Sequence, residues 1–511
     1  MNVSDLIARN AAFSPDKSAL IFEEETLSYA DFNARIKQAA RALKSECGVG
    51  RGDRIAILSL NRPDYLVLLY ACARLGAMLV PMNWRLADAE QMFILADASV
   101  KVLVLEQAFA GIVPALAQDL PDTRVVGLDF AASPGSSFEA LLAQAKGDGR
   151  NPHADLASPL LIVYTSGTTG RPKGAVLRQE ALLWNGVMSQ HMHSLTSEDH
   201  VLTVLPFFHV GGLNIQTTPA LHHGATVTIH ARFTPGAALK EIARSRPTLT
   251  VLVPAIIQAI TDDPAWPTTD LSSLKAVTTG STIVPPHLIE RITARGVPVL
   301  QVYGSTETCP IAIYTRLGGD LARAGSTGLP GLCCEAKIID EAGVELPPDT
   351  PGEIAIRGPN VFLEYWGNET ATREALHDGW YRSGDIGRRD PDGYFFVHDR
   401  KKNMIISGGE NIYPAEVERV LLEHPDVAEC GVIGRPDPRW DEVPVACIIR
   451  RRDSDVDAEA LKAHVAKELA RFKVPREIIF VDDLPRTALG KVQHFRLKQL
   501  YAAIAAEGET L

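Results

Sequence analysis

The stretch Leu160–Gly174, LLIVYTSGTTGRPKG, concentrates groups that bind anions. Thr165, Ser166, Thr168 and Thr169 supply hydroxyl donors, and Lys173 supplies a mobile ammonium. Gly167, Gly170 and Gly174 let the backbone approach oxygens closely, so that several N–H groups can point at one anion. The preceding apolar run Leu160–Val163 predicts a short buried strand that feeds this loop. Together they read as a phosphate loop. The spacing is not GxxxxGK[ST], because Pro172 precedes Lys173 and Gly174 follows it where Ser or Thr is required, which excludes an ordinary kinase or GTPase.

Four later motifs complete a constellation: Phe208-His209-Val210-Gly211-Gly212, Tyr303-Gly304-Ser305-Thr306-Glu307, Tyr381-Arg382-Ser383-Gly384-Asp385 and Pro485-Arg486-Thr487-Ala488-Leu489-Gly490-Lys491. In order and spacing, the five motifs resemble those of the adenylate-forming enzymes, and the chain is similar to an acyl-CoA synthetase over nearly its whole length. The resemblance implies two half-reactions. A carboxylate attacks the α-phosphate of ATP and releases pyrophosphate; the thiol of coenzyme A then attacks the acyl-adenylate and releases AMP. Two anions must meet in the first half, so positive charge and in-line geometry are needed there.

The resemblance also distributes roles. ATP, Mg²⁺ and coenzyme A are implied, with Glu307 and the Thr165 hydroxyl as the magnesium ligands and a small carboxylic acid as the partner substrate. Nucleotide contacts fall to Thr165, Ser166, Gly167, Thr168, Thr169, Gly170 and Lys173 of the loop, to Gly280, Ser281, Thr282, Tyr303 and Thr306, and to Asp385, Arg400 and Lys491. Tyr303 is suited to stacking on adenine, while Asp385 accepts from ribose hydroxyls and Arg400 donates to the same sugar. Read alone, Gly384-Asp385 is an ordinary turn, Glu307 an ordinary helix cap and Lys491 a solvated lysine; the surrounding motifs give them chemistry.

Lys491 would bring charge onto the developing phosphorane, and Lys402 would be the hinge about which a C-terminal lid turns. Gly408 and Gly409 would leave a pantetheine channel open. His209 stands where the acyl carboxylate enters, either as a catalytic orienting group or as a packed core residue. The acyl pocket is implied near Trp184, His209, Gly211, Gly212, Gly280, Ser281, Pro310 and Ile311, with no Arg or Lys in those stretches. Gly211 and Gly212 are expected to leave room behind the carboxylate, so a medium-chain fatty acid or an aryl or cyclic acid fits better than acetate, and a dicarboxylate is disfavoured because its second charge would be buried without a partner. The alternatives are a ligase that loads a carrier protein and a catalytically silent acyl-adenylate binder.

The elements that must hold these residues are legible as well. Helical spacing over Tyr29–Leu43 and Tyr65–Leu75 alternates with strands at Arg54–Leu58, Ala77–Pro81 and Lys101–Leu105. Further strands are expected at Val201–Pro206, Thr226–Ile229, Thr248–Val253, Leu274–Thr278 and Val299–Tyr303, each followed by a polar cluster, where open α/β sheets place their ligands. The fold class is thus α/β: a large N-terminal body of helix-flanked sheets at 1–400, with a small barrel-like subdomain from about Gly325, then a mobile α+β C-terminal domain at 401–511. Within the latter, a helix is expected near Ala415–Leu422, and another with Leu461, Val465, Leu469 and Phe472 on one stripe.

With 46% apolar and 22% charged residues the chain has an ordinary globular composition, and its net charge of −11 argues against a large nucleic-acid footprint. Seven cysteines without a CxxC pair read as reduced thiols, and neither a signal peptide nor a membrane span is predicted. A cytoplasmic enzyme is expected, and a homodimer is compatible with it.

Overall fold

The computed structural model describes residues 1–511 except 134–135, 166–171, 281–283, 320–322, 324, 408–409, 439, 488–489 and 509–511; of 402, 410, 411, 441 and 505–508 it describes the backbone alone. The chain forms two compact units, Met1–Ser281 with Pro286–Ala336 and Ile356–Arg382, and Thr282–Pro285 with Lys337–Ala355 and Ser383–Leu511.

The first unit is built on two sheets. One runs, in spatial order, Glu364–Tyr365, Lys173–Arg178, Pro159–Thr165, Met78–Pro81, Arg54–Leu58, Val102–Leu105 and Arg124–Gly127. The last five pair in parallel, the first three antiparallel. Parallel strands covered on both faces read as continuous apolar runs, and Leu160–Val163 and Val102–Leu105 are accordingly buried. The other sheet carries Val299–Tyr303, Ala276–Gly280, Leu249–Val251, His200–Thr203, Thr226–Ile229 and Ser18–Phe22 in parallel, with antiparallel strands at both edges.

The helices have local causes. Tyr29–Cys47 starts at a Ser28/Asp31 capping box, buries Tyr29, Phe32, Ile36 and Leu43, and ends at Gly48 in the left-handed region. Pro63–Leu75 has proline in its first turn, where a missing N–H costs nothing, and every residue of it is buried. The predicted mostly parallel, helix-covered architecture is what the first unit shows.

In the second unit, part of the strand Trp380–Arg389 pairs antiparallel with Phe395–Arg400, from Asp385↔Arg400 to Arg389↔Phe395. Farther along, the long hairpin Val427–Asp437 and Asp441–Arg450 is packed by Pro414–Leu422 and Ala458–Glu468 around Val417, Leu421, Val432, Ile448, Leu461 and Val465. The predicted stripe through Leu469 and Phe472 does not hold as a helix. Leu469 is extended (φ −121°, ψ 155°), Phe472 lies in the 3-10 turn Arg471–Lys473, and Val474 is extended as a residue before proline must be. A terminal helix, His494–Gly508, buries Leu497 against Ile433, Val445, Cys447 and Leu484. Among the described residues all seven cysteines are free, and no helix is long and apolar enough to cross a membrane.

Candidate active site

In the first unit, Pro159–Thr165 does not run into a helix. It returns as the antiparallel strand Lys173–Arg178, and Thr165 pairs with Lys173 at the base of the loop, its Oγ1 donating to the Lys173 carbonyl at 3.4 Å. Ser166, Gly167, Thr168, Thr169 and Gly170 lie outside the described residues. Gly174 is required by a close approach, since a Cβ there would stand 2.7 Å from Ile162 and 3.0 Å from the Tyr164 ring. The Lys173 ammonium lies 5.5 Å from the centroid of the Tyr365 ring.

The strand Val299–Tyr303 delivers the second cluster. At Gly304 a Cβ would come within 1.7 Å of the Pro310 carbonyl oxygen, so only glycine lets the chain turn there. The turn Thr306–Thr308 is capped by Ser305 and Thr308: the Ser305 N–H donates to Thr308 Oγ1 at 2.9 Å. Glu307 is thus not the cap. It is buried at 7% exposure, and its Oε1 accepts from the Tyr365 hydroxyl at 2.7 Å. A buried carboxylate is costly unless compensated, yet among the described residues neither Glu307 nor Lys173 has an ion-pair partner.

The segment 360–366 laces these parts together. Phe362 N–H donates to the Glu307 carbonyl, Leu363 N–H to that of Val176 and Trp366 N–H to that of Gly174, at 2.7, 2.8 and 2.7 Å. Asn360 Nδ2 reaches the carbonyls of Thr308 and Ile311. Sequence reasoning passed over this segment because none of the five motifs falls in Asn360–Trp366; its signal is pairing, and pairing is not local in sequence.

The residues expected to line the acyl pocket belong to the same unit. Trp184 is partly exposed on Gln179–His193, whereas Gly211, Gly212, Gly280, Pro310 and Ile311 are buried. Gly212 does not leave open space, because a Cβ would fall 2.4 Å from the Pro206 carbonyl oxygen; Gly280 is held as closely to that of Val302, at 2.2 Å. Ser281 and Thr282 lie outside the described residues. Asn185, unanticipated, joins three of these elements: its Oδ1 accepts from Ile311 N–H at 3.1 Å and its Nδ2 donates to the Asn214 carbonyl at 2.6 Å.

Among the described residues, the buried Nε2 of His209 has no hydrogen-bond partner. Burial, and then the Arg85 charge, push its pKa down to about 4, so the ring is neutral at pH 7. Its ring lies 4.7 Å from Phe208, which in turn meets Trp84 edge-on at 6.3 Å. Arg85 and Arg232 cover the Trp84 ring at 4.8 and 5.0 Å. The expectation of surroundings without arginine is corrected here, because both guanidiniums come from stretches distant in sequence, and the argument against dicarboxylates loses its footing.

In the second unit Asp385, Arg400 and Lys491 come together. Arg400 Nε donates to Asp385 Oδ1 at 2.6 Å. Burial, and then Arg400, lower the Lys491 pKa, while Asp385, Asp399 and Glu418 pull it up. Lys491 is anchored by its own loop, its N–H donating to Thr487 Oγ1 at 3.1 Å and its carbonyl accepting from Thr487 N–H at 2.7 Å. Beside it, His494 Nε2 stands 3.1 Å from Glu418 Oε1. Lys402 sits in the 3-10 turn Lys401–Asn403. Ile405–Ser407 and Glu410–Ile412 pair antiparallel; Gly408 and Gly409 lie outside the described residues.

The sequence matches the AMP-binding enzyme family over residues 7–366 and the AMP-binding enzyme C-terminal domain over 416–491. It is 47% identical over 504 residues to an indoleacetate–CoA ligase of Aromatoleum aromaticum, covering 98% of both chains. It is 40% identical over 484 residues to a feruloyl-CoA synthase of an Amycolatopsis species, covering 95% of this chain and 96% of the other. Among solved structures, the o-succinylbenzoate CoA synthetase of Bacillus subtilis bound to its acyl-adenylate superposes with a TM-score of 0.86 at 32% identity, over 96% of this chain and 97% of that one. The same enzyme bound to ATP and magnesium ion superposes with a TM-score of 0.86 at 32% identity, over 96% of this chain and 99% of that one.

Proposed function

Because the chain belongs to the AMP-binding enzyme family and is an AMP-forming acid–thiol ligase, we propose that it joins an aryl or arylalkyl carboxylic acid to coenzyme A through an acyl-adenylate. The observation that carries the nucleotide chemistry is the buried Glu307, without an ion pair among the described residues, tied through Tyr365 to the Lys173 ammonium. Opposite charges left facing a ligand rather than each other suit a polyphosphate and its metal. No three metal-ligating side chains converge among the described residues. One carboxylate with one hydroxyl fits magnesium, which takes its remaining ligands from phosphate and water.

Glu307 and Thr165 would hold the ion, and when bound it offsets phosphate charge. Lys173 binds the triphosphate. A carboxylate oxygen of the acid attacks the α-phosphorus, the bond to the β-phosphate oxygen breaks, and pyrophosphate leaves. Lys491 places positive charge on the phosphorus centre as it gains negative charge. In the second half the coenzyme A sulfur attacks the acyl carbon, the thiol proton is lost, and AMP departs with the oxygen that bridged it. The neutral His209, its Nε2 free to donate or accept, orients the acyl carboxylate as it enters.

A two-domain cycle would serve the two half-reactions in turn: a body at 1–400 and a lid at 401–511 turning about Lys402, with Gly408 and Gly409 on the thiol's path. The aromatic substrate class is supported by the names of the relatives and by the ring cluster of Trp84, Phe208 and His209. Dependence on ATP and coenzyme A, together with free cysteines, supports a cytoplasmic location. The test is AMP release with coenzyme A supplied or withheld across aryl, aliphatic and dicarboxylic acids. Coenzyme A-dependent turnover should be fastest with an aryl acid; fastest turnover of acetate would contradict the proposed class.

A further inference from the structure

We propose that Tyr365 is a positioning residue for adenylation, one that fixes the magnesium carboxylate and the phosphate-loop lysine in one arrangement; this rests on the reading of Glu307 given above. Tyr365 is the second residue of the short strand Glu364–Tyr365, which pairs with Ala175 and Val176 on the strand that begins at Lys173. Its N–H donates to Thr372 Oγ1 at 2.9 Å, and its ring meets Phe362 at 4.8 Å between centroids. The backbone is thereby pinned, and the ring is packed against Phe362. Its hydroxyl then donates to Glu307 Oε1 at 2.7 Å while its face lies under the Lys173 ammonium, 5.5 Å from the centroid.

The consequence is orientation. With Oε1 engaged by the phenol, Glu307 keeps its other oxygen for a ligand, and the rotamer is set before the ligand arrives. Outer partners of this kind orient a ligating carboxylate, and losing one typically costs about 10–100-fold in metal affinity or activity. The two functions of Tyr365 are separable. The hydroxyl serves Glu307, and the ring serves Lys173.

Tyr365→Phe keeps the ring and removes the hydroxyl, whereas Tyr365→Leu removes both. In calorimetric titrations the gain in ATP affinity on adding magnesium should shrink about tenfold in Y365F, with metal-free ATP binding unchanged; Y365L should weaken metal-free binding too. The magnesium concentration for half-maximal ATP–pyrophosphate exchange should rise about tenfold in Y365F. Conversion of supplied acyl-adenylate and coenzyme A into thioester should stay within about twofold, as should that of Y365L. Magnesium titrations of Y365F that match the native enzyme overturn the proposal, and so does an equal loss in the thioester half, which assigns Tyr365 to folding. Glu307→Gln separates the two ideas: if it raises the magnesium requirement and Y365F does not, only the positioning role fails; if neither does, the metal role of Glu307 fails with it.

Discussion

Replacing Lys491 by alanine should split the two half-reactions. Lys491 as a residue is partly exposed, while its ammonium is desolvated beside the Asp385–Arg400 pair and near Asp399 and Glu418. A unit charge about 4 Å from developing negative charge, at an effective dielectric constant near 20, is worth about 4 kcal/mol. That is about three decades in rate, in line with the 10²–10³ range for deleting one preorganised donor. Acid-dependent ATP–pyrophosphate exchange in K491A should therefore fall by about 10³. Thioester formation from supplied acyl-adenylate, in which no phosphorus centre gains charge, should change by less than about threefold. Because Thr487 anchors the Lys491 backbone rather than its side chain, the loop should survive the substitution. Exchange at the native rate would refute the reasoning, and so would equal losses in both halves.

Gly304→Ala should displace the turn that carries Glu307, since the new Cβ would overlap the Pro310 carbonyl; urea denaturation should show a loss of about 3 kcal/mol, and a native midpoint would contradict the close approach. Burial holds the pKa values of His193 and His209 down to about 4 and that of His222 to about 3. These folded values lie below the unfolded one near 6.5, so the stability is present above that pH and is lost as pH falls toward the folded values. Each neutral ring then contributes a slope approaching 1.4 kcal/mol per pH unit, and the three together should cost about 3 kcal/mol between pH 6.5 and 5.5. His494 opposes them: burial disfavours its charge, but Glu418 more than compensates and raises its pKa, so its contribution is present below pH 6.5 and lost above. Denaturation midpoints measured at both pH values should fall on acidification, and a flat profile would refute the burial argument.

The α/β character was legible because buried parallel strands announce themselves as apolar runs, as at Leu160–Val163, and because Ser28, Gly48 and Pro63 punctuate helices locally. Asp385, Arg400 and Lys491 were recognised from motifs, and they do converge. What escaped was long-range. Tyr365 and Asn185 act through partners 58 and 126 residues away, and Arg85 reaches His209 from another element. The glycines taught a related lesson: Gly212 looked like room for a substrate, yet its missing side chain answers to the Pro206 carbonyl. Composition cannot say which side of a glycine is crowded.

The most direct test of acyl-adenylate chemistry follows the carboxylate oxygen. With an aryl acid labelled by ¹⁸O in both carboxylate positions, one turnover with ATP and coenzyme A should yield AMP carrying one labelled oxygen and pyrophosphate carrying none. Unlabelled AMP, or label appearing in inorganic phosphate alongside ADP, would contradict attack of the acid on the α-phosphorus.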